Sequence, residues 1–144
     1  MAATAHRVAA TAAGLALLGS LAACTDDGVL ALEVGDCLDR AELAGPEVTT
    51  VTPLECSEPH DAEVFAAITH EGDFPGAEEL RVEAEERCTA EFEGFVGVPY
   101  AESELSFSVL SPTEDGWERA GDRESLCVLL LEESVSESLE GAAR

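Results

Sequence analysis

Four cysteines, Cys37, Cys56, Cys88 and Cys127, follow a fifth, Cys24, that closes an apolar leader. They limit the fold more than any other feature, because the stretch that holds them is short. Met1 to Cys24 carries one arginine, Arg7, and then a run from Val8 to Leu21 that is apolar apart from small or weakly polar residues. That run is too short to cross a bilayer and reads as an export signal. Removing residues 1–23 leaves roughly 120 residues, enough for one small domain. In an exported domain of that size an even set of cysteines argues for two disulfides, each contributing about 2–4 kcal/mol. Three pairings are open, and spacing does not choose among them. Zinc is the competing use, since Cys56 and His60 are spaced like half of a zinc knuckle. No second close pair accompanies them and export disfavours free thiolates, so no metal is expected.

The residues Leu21-Ala22-Ala23-Cys24 resemble a bacterial lipobox. The resemblance implies that Cys24 receives a diacylglyceryl thioether and becomes the first residue of the mature chain. Two acyl chains supply the paired signals that stable anchoring needs. The expected address is the extracytoplasmic face of the cell membrane. The expected organisation is a signal peptide over 1–23, a lipidated tether over 24–33, a domain over 34–132, and an acidic, disordered tail over 133–144. The nine tether residues after the lipidated cysteine reach about 30 Å when extended, which keeps the domain close to the membrane.

The net charge is −24, every basic residue other than the three histidines is arginine, and lysine is absent. A surface that acidic repels nucleic-acid phosphates and anionic lipid head groups, which excludes nucleic acid as a partner. It also suits a salty environment. No Gly-rich phosphate loop, flavin fingerprint or metalloprotease helix is present, so no cofactor is expected.

The patterning predicts an α+β domain, with one long amphipathic helix on a small, mostly antiparallel sheet stapled by two disulfides. Val34 to Leu38 opens it as a strand or turn. Glu47 to Val51 is β-branched and reads as a strand ended by Pro53. Glu63 to Thr69 is a further strand, with Val64, Ala66 and Ile68 on one face and Phe65 and Ala67 on the other. Leu80, Ala84, Cys88, Phe92 and Phe95 form one stripe of a helix over about 77–95, whose acids spread around the remaining surface. Leu105, Phe107 and Val109 alternate with Ser106 and Ser108 as a half-buried strand. Leu126 to Leu131, apolar on both faces, reads as the central strand. Cys88 on the buried stripe and Cys127 at the start of that strand are placed to staple helix to sheet. That leaves Cys37 and Cys56 to close the N-terminal loop.

Two polar clusters are candidates for function. Cys56-Ser57-Glu58-Pro59-His60-Asp61-Ala62-Glu63 is the denser. His60, Asp61 and Glu63 are the residue types of an acid–base group, which admits a cell-envelope hydrolase as an alternative. Triads are recognised by geometry and not by adjacency, however, so a structural turn is favoured, with Asp61 capping backbone N–H groups. The second cluster runs from Pro112-Thr113 through Trp117, the sole tryptophan, to Gly121-Asp122-Arg123. An aromatic beside an arginine and an aspartate suits either a ligand pocket or a pinned turn. His60, Asp61, Trp117, Asp122 and Arg123 are the candidate binding residues, and no catalytic residue is assigned. His70 is expected to be exposed.

The run Gly35-Asp36-Cys37, the segment Cys56 to Val64, Cys88 with Phe92 and Gly97, and Pro112-Thr113, Trp117, Gly121-Asp122-Arg123 and Cys127 resemble the septum formation family domain of actinobacterial envelope proteins. The resemblance extends from about Val34 to Glu132. It implies an extracytoplasmic domain with a part in cell division or envelope assembly, an envelope or division protein as partner, and no catalytic residues. Leu38 stands where an aromatic is common in that family, and a lipid anchor replaces the transmembrane helix of many relatives.

Overall fold

Leu80, Ala84, Cys88, Phe92 and Val96 recur every four residues, and all five are buried on one side of a helix, α1 (Ala77–Val96). Spacing by four places these side chains in a single stripe, and packing of that stripe supplies most of the helix's stability. Phe95, expected to extend the stripe, is half-buried beside it, and Val96 takes the fully buried place. Glu78 and Glu79 occupy the first turn, where the dipole favours acids. Gly97 ends the helix with φ +93°, a left-handed conformation suited to glycine, and its N–H bonds the Glu93 carbonyl at 2.9 Å.

The computed structural model describes residues 31–45, 48 and 50–144. The signal peptide and the lipidation at Cys24 lie outside the described residues. Four strands, β1 (Cys37–Leu38), β2 (His60–Thr69), β3 (Ser106–Leu110) and β4 (Glu124–Val135), form one antiparallel sheet in the order β1-β2-β4-β3. β4 is central, as its two-sided apolar pattern predicts. The fold is therefore the expected α+β arrangement. Val48, Thr50 and Val51, the described members of the strand expected over Glu47–Val51, lie outside the sheet. Val51 is instead a fully buried plug, and the β-bridge in this region joins Leu54 to Cys37.

Strand β2 corrects a second expectation. Val64 pairs with Val128 and Ala66 with Cys127, so Phe65 is an extra residue in the ladder. This bulge reverses the face assignment beyond it. Val64 therefore packs with Ala62, Leu38 and Val128, while Phe65, Ala66 and Ile68 all pack with α1. The sheet accordingly has two cores. On the helix side Phe65 meets Phe92 and Phe107 edge-on, with ring centroids 5.6 Å away in both cases. On the opposite side Leu32 and Val51 from the N-terminal loops, with Leu38 of β1, pack with Val64, Leu126 and Val128. Leu32 belonged to the expected tether, but it is buried and forms part of the domain.

The disulfides join Cys37 to Cys56 and Cys88 to Cys127, with Cα separations of 5.3 and 5.7 Å. The first secures the N-terminal loop over one face, and the second ties α1 to β4 over the other.

The acidic tail is a third correction. β4 continues to Val135, and Leu139 returns to the helix-side core with 2 % exposure. Gly141 and Ala143 donate backbone N–H groups to the carbonyls of Phe95 and Val96, each at 2.8 Å. One apolar residue in a serine- and glutamate-rich segment is enough to dock it, because the last turn of α1 offers otherwise orphaned carbonyls.

Candidate functional site

The two polar clusters occupy opposite ends of β2. His60 opens the strand and His70 follows its last residue, so the clusters stand about 30 Å apart at ~3.3 Å per residue. They do not form one site.

At the first end the side chains turn inward. His60 is buried, and its Nδ1 donates to the Glu58 carbonyl at 2.9 Å. Asp61 accepts the backbone N–H of Arg40 at 2.7 Å, the capping role foreseen for it, although toward a distant helical turn (Arg40–Leu43). Glu63 is fully buried. Its two oxygens accept the Ser138 hydroxyl at 2.6 Å and the Leu139 N–H at 2.7 Å. Cys37, His60 and Glu63 present one potential ligand atom each within 4.8 Å of one another. The Cys37 sulfur, however, is committed to its disulfide and both Glu63 oxygens are occupied. Asp61 and Glu63 are thus engaged with the chain itself, whereas His60 is engaged through Nδ1 alone and its buried Nε2 has no hydrogen-bond partner. Sequence reasoning missed the role of Glu63, for which the only signal is an acid alone within an apolar strand.

The second end is built on a tight corner. Trp117 lies in a wide helical turn, Gly116–Ala120, started by Thr113, whose hydroxyl accepts the Gly116 N–H at 3.0 Å. Gly121, at φ +71°, ends the turn in a left-handed conformation. Asp122 then accepts the Glu124 N–H at 3.2 Å and launches β4. Arg123 stacks its guanidinium 4.1 Å above the Trp117 ring and donates to the Trp117 and Asp122 carbonyls at 2.5 and 2.9 Å. Phe74 also meets the indole edge-on, with ring centroids 5.6 Å apart. Trp117 is left with 3 % exposure. It is a core residue of this corner rather than a presented aromatic.

His70 joins the same corner and is buried, contrary to expectation. It continues the face of Ala66 and Ile68, a signal the period-two pattern carries once the bulge is known. Nε2 lies 2.9 Å from Ser125 Oγ, which in turn lies 3.0 Å from Ser111 Oγ. Nδ1 lies 3.4 Å from a Glu83 oxygen on α1. That carboxylate is shared with Arg87 at 3.2 Å, and Arg87 also donates to the Thr69 carbonyl at 2.9 Å. Ser125 donates its hydroxyl proton to Ser111 Oγ, and Nδ1, although near Glu83, makes no hydrogen bond. The chain ties β2, α1, β4 and the segment after β3 together. Ser125, its central member, is fully buried.

The surface beside this corner is concave. A cleft of about 700 Å³ runs between the start of α1 and the segment after β3, bordered by Phe74, Pro75, Arg81, Val109, Ser111 and Thr113. Of the five candidate binding residues, the structure brings Trp117, Asp122 and Arg123 together near this cleft and leaves His60 and Asp61 at the far end. The sequence profile of a family described as "Septum formation" matches residues 8–104 and 34–143 of the chain. No curated protein and no solved structure matches it.

Proposed function

The chain belongs to the septum formation family, and from that premise we propose that it is a membrane-anchored, extracytoplasmic interaction module that acts in septum formation without catalysis of its own. The family match carries the septal role. The non-catalytic reading draws support from the site: both Glu63 oxygens and one Asp61 oxygen accept bonds from the chain itself, and His60 and His70 are each tied to it through one ring nitrogen. Groups held in that way position backbone and resist the reorganisation that proton transfer requires. The lipobox resemblance and the paired disulfides support an anchored, oxidising address.

A division-site fluorescence experiment tests this reading. The full chain fused to a fluorophore that matures outside the cytoplasm is expected at mid-cell in dividing cells, in the membrane fraction. Cys24→Ala is expected to abolish acylation, detected by intact mass, and to reduce the septal signal. A uniform peripheral signal from the unaltered chain through the whole division cycle would overturn the septal role. Unchanged membrane retention of the Cys24→Ala chain would overturn the anchor.

A further inference from the structure

The two edges of the sheet are treated very differently. β1 is two residues long, is followed at once by Asp39 and the turn Arg40–Leu43, and carries the Leu54 bridge on its outer side. That edge is closed. β3, at the other edge, pairs with β4 over five consecutive residues without a register shift, and its outer side meets no strand among the described residues. Its sequence, Ser106-Phe107-Ser108-Val109-Leu110, holds no charge and no proline. Soluble proteins usually blunt a regular edge with lysine, proline or a bulge, because its free N–H and C=O groups template another strand. Here none of these devices is present.

Both faces beside the edge are grooved. On the helix side Arg81, Glu85, Thr89, Tyr100, Phe107 and Val109 border a groove of about 370 Å³. On the other side Leu43, Leu110, Val128 and Leu130, with Arg40, border one of about 240 Å³. Ser108 borders both, at the strand's midpoint. An added strand sends alternate side chains to opposite faces, so two grooves flanking one bare edge, the helix-side one mixed and the other mainly apolar, match its period. Acids mark the two ends. Glu102 and Glu104 precede β3, and Glu114 and Asp115 follow it, all exposed. Arg144 lies 3.7 Å from Glu104 and Arg119 lies 2.8 Å from Asp115, so Glu102 and Glu114 remain without an ion-pair partner among the described residues.

We infer that the β3 edge is the docking site of this module, and that its occupant is an extended segment of a different protein, with about five apolar or β-branched residues between two cationic ones. The segment adds to the sheet as a fifth strand beside Ser106–Leu110. A second copy of this chain is the wrong occupant, because each copy carries a net charge of −24 and brings its own acids to both ends of the edge. The inference rests on the interaction-module reading and adds to it the place and chemistry of the partner.

The probe is a peptide library of the form Arg-X5-Arg, with X drawn from Val, Ile, Thr, Phe and Ser, titrated against the full chain in neutral detergent. Members are expected to bind with Kd below about 1 mM at low salt and to slow amide exchange at β3. N-methylation of one alternating set of peptide amides is expected to weaken binding at least tenfold, and methylation of the other set to leave it unchanged. Ser106→Lys with Ser108→Lys, both exposed positions, is expected to keep the melting temperature and lose the binding. Absence of binding throughout the library, equal effects of the two methylation sets, or a dimer that the lysine pair dissociates would each overturn the docking site. Cross-linking in intact cells separates this from the broader reading. Capture of no protein by the unaltered chain overturns the interaction module itself. Equal capture by the unaltered and lysine-bearing chains overturns only the β3 edge.

Discussion

The Glu63 carboxylate and the backbone N–H of Leu139 meet at 2.7 Å across 76 residues of sequence, in a fully buried setting. The bond joins the middle of β2 to the segment that follows β4, and the Ser138 hydroxyl supports it from the second oxygen at 2.6 Å. Replacing Glu63 by alanine leaves a buried N–H without an acceptor and opens a void. The expected cost is about 3 kcal/mol. Glu63→Gln, which keeps one acceptor, is expected to cost less. Chemical denaturation measures both, and faster exchange at the Leu139 amide in each variant locates the effect.

Deleting residues 136–144 distinguishes a docked tail from a frayed one. A frayed segment could be removed without consequence. Here the deletion removes Leu139 from the core, its N–H bond to the Glu63 side chain, and the backbone bonds of Gly141 and Ala143 to the end of α1. The melting temperature is expected to fall by about 10 °C or more, since each kcal/mol is worth about 4–8 °C in a domain of this size.

The disulfides close loops of different length, with sequence separations of 19 for Cys37–Cys56 and 39 for Cys88–Cys127. Doubling the loop adds only about 0.6 kcal/mol of closure entropy. Replacing Cys88 and Cys127 together by alanine is nevertheless expected to be the more damaging pair. Both sulfurs are in the closed core between α1 and β4, and the loss is about 2–4 kcal/mol plus that of packing. Guanidinium melts of the two double variants give the order.

Trp117 reports on its own corner, being the sole tryptophan. Arg123→Ala removes the guanidinium that covers its ring and bonds its carbonyl. The emission maximum is expected to shift to the red, with a stability loss of about 1–2 kcal/mol. Arg123→Lys is expected to restore little, because a lysine cannot stack and donate twice in one geometry.

Hydrogen bonds and the positive charge of Arg81 hold the Glu78 carboxyl below the usual carboxylate range. A carboxyl depressed in the folded state contributes stability above its ordinary pKa and loses it as pH falls through the lowered value. The pair is fully exposed, so the effect is small and screened by salt. A carboxyl NMR titration is expected to show a Glu78 midpoint below 4.5, the ordinary value, that moves toward it in Arg81→Gln.

The helix, the central strand and the cysteine pairs were legible because local rules govern them. Spacing by four at Leu80, Ala84, Cys88 and Phe92 has one amphipathic solution, and a two-sided apolar run at Leu126–Leu131 belongs in the middle of a sheet. Trp117, Asp122 and Arg123 are neighbours in sequence and share one corner of the fold, yet their burial was not legible, since a pinned turn and an open pocket use the same residues. The family membership likewise follows from the order of residues along the chain.

Tertiary structure decided what local pattern cannot. One extra residue, Phe65, moved Ala66 and Ile68 to the helix face and took His70 inward with them. A buried acid, Glu63, and one leucine, Leu139, converted an acidic tail into part of the core. The bare side of β3 exists only because β1 and β3 lie at opposite edges. Amino-acid order determines which faces are apolar, whereas partners far apart in sequence determine which polar groups are satisfied, and that satisfaction decides what remains on the surface for another molecule to find.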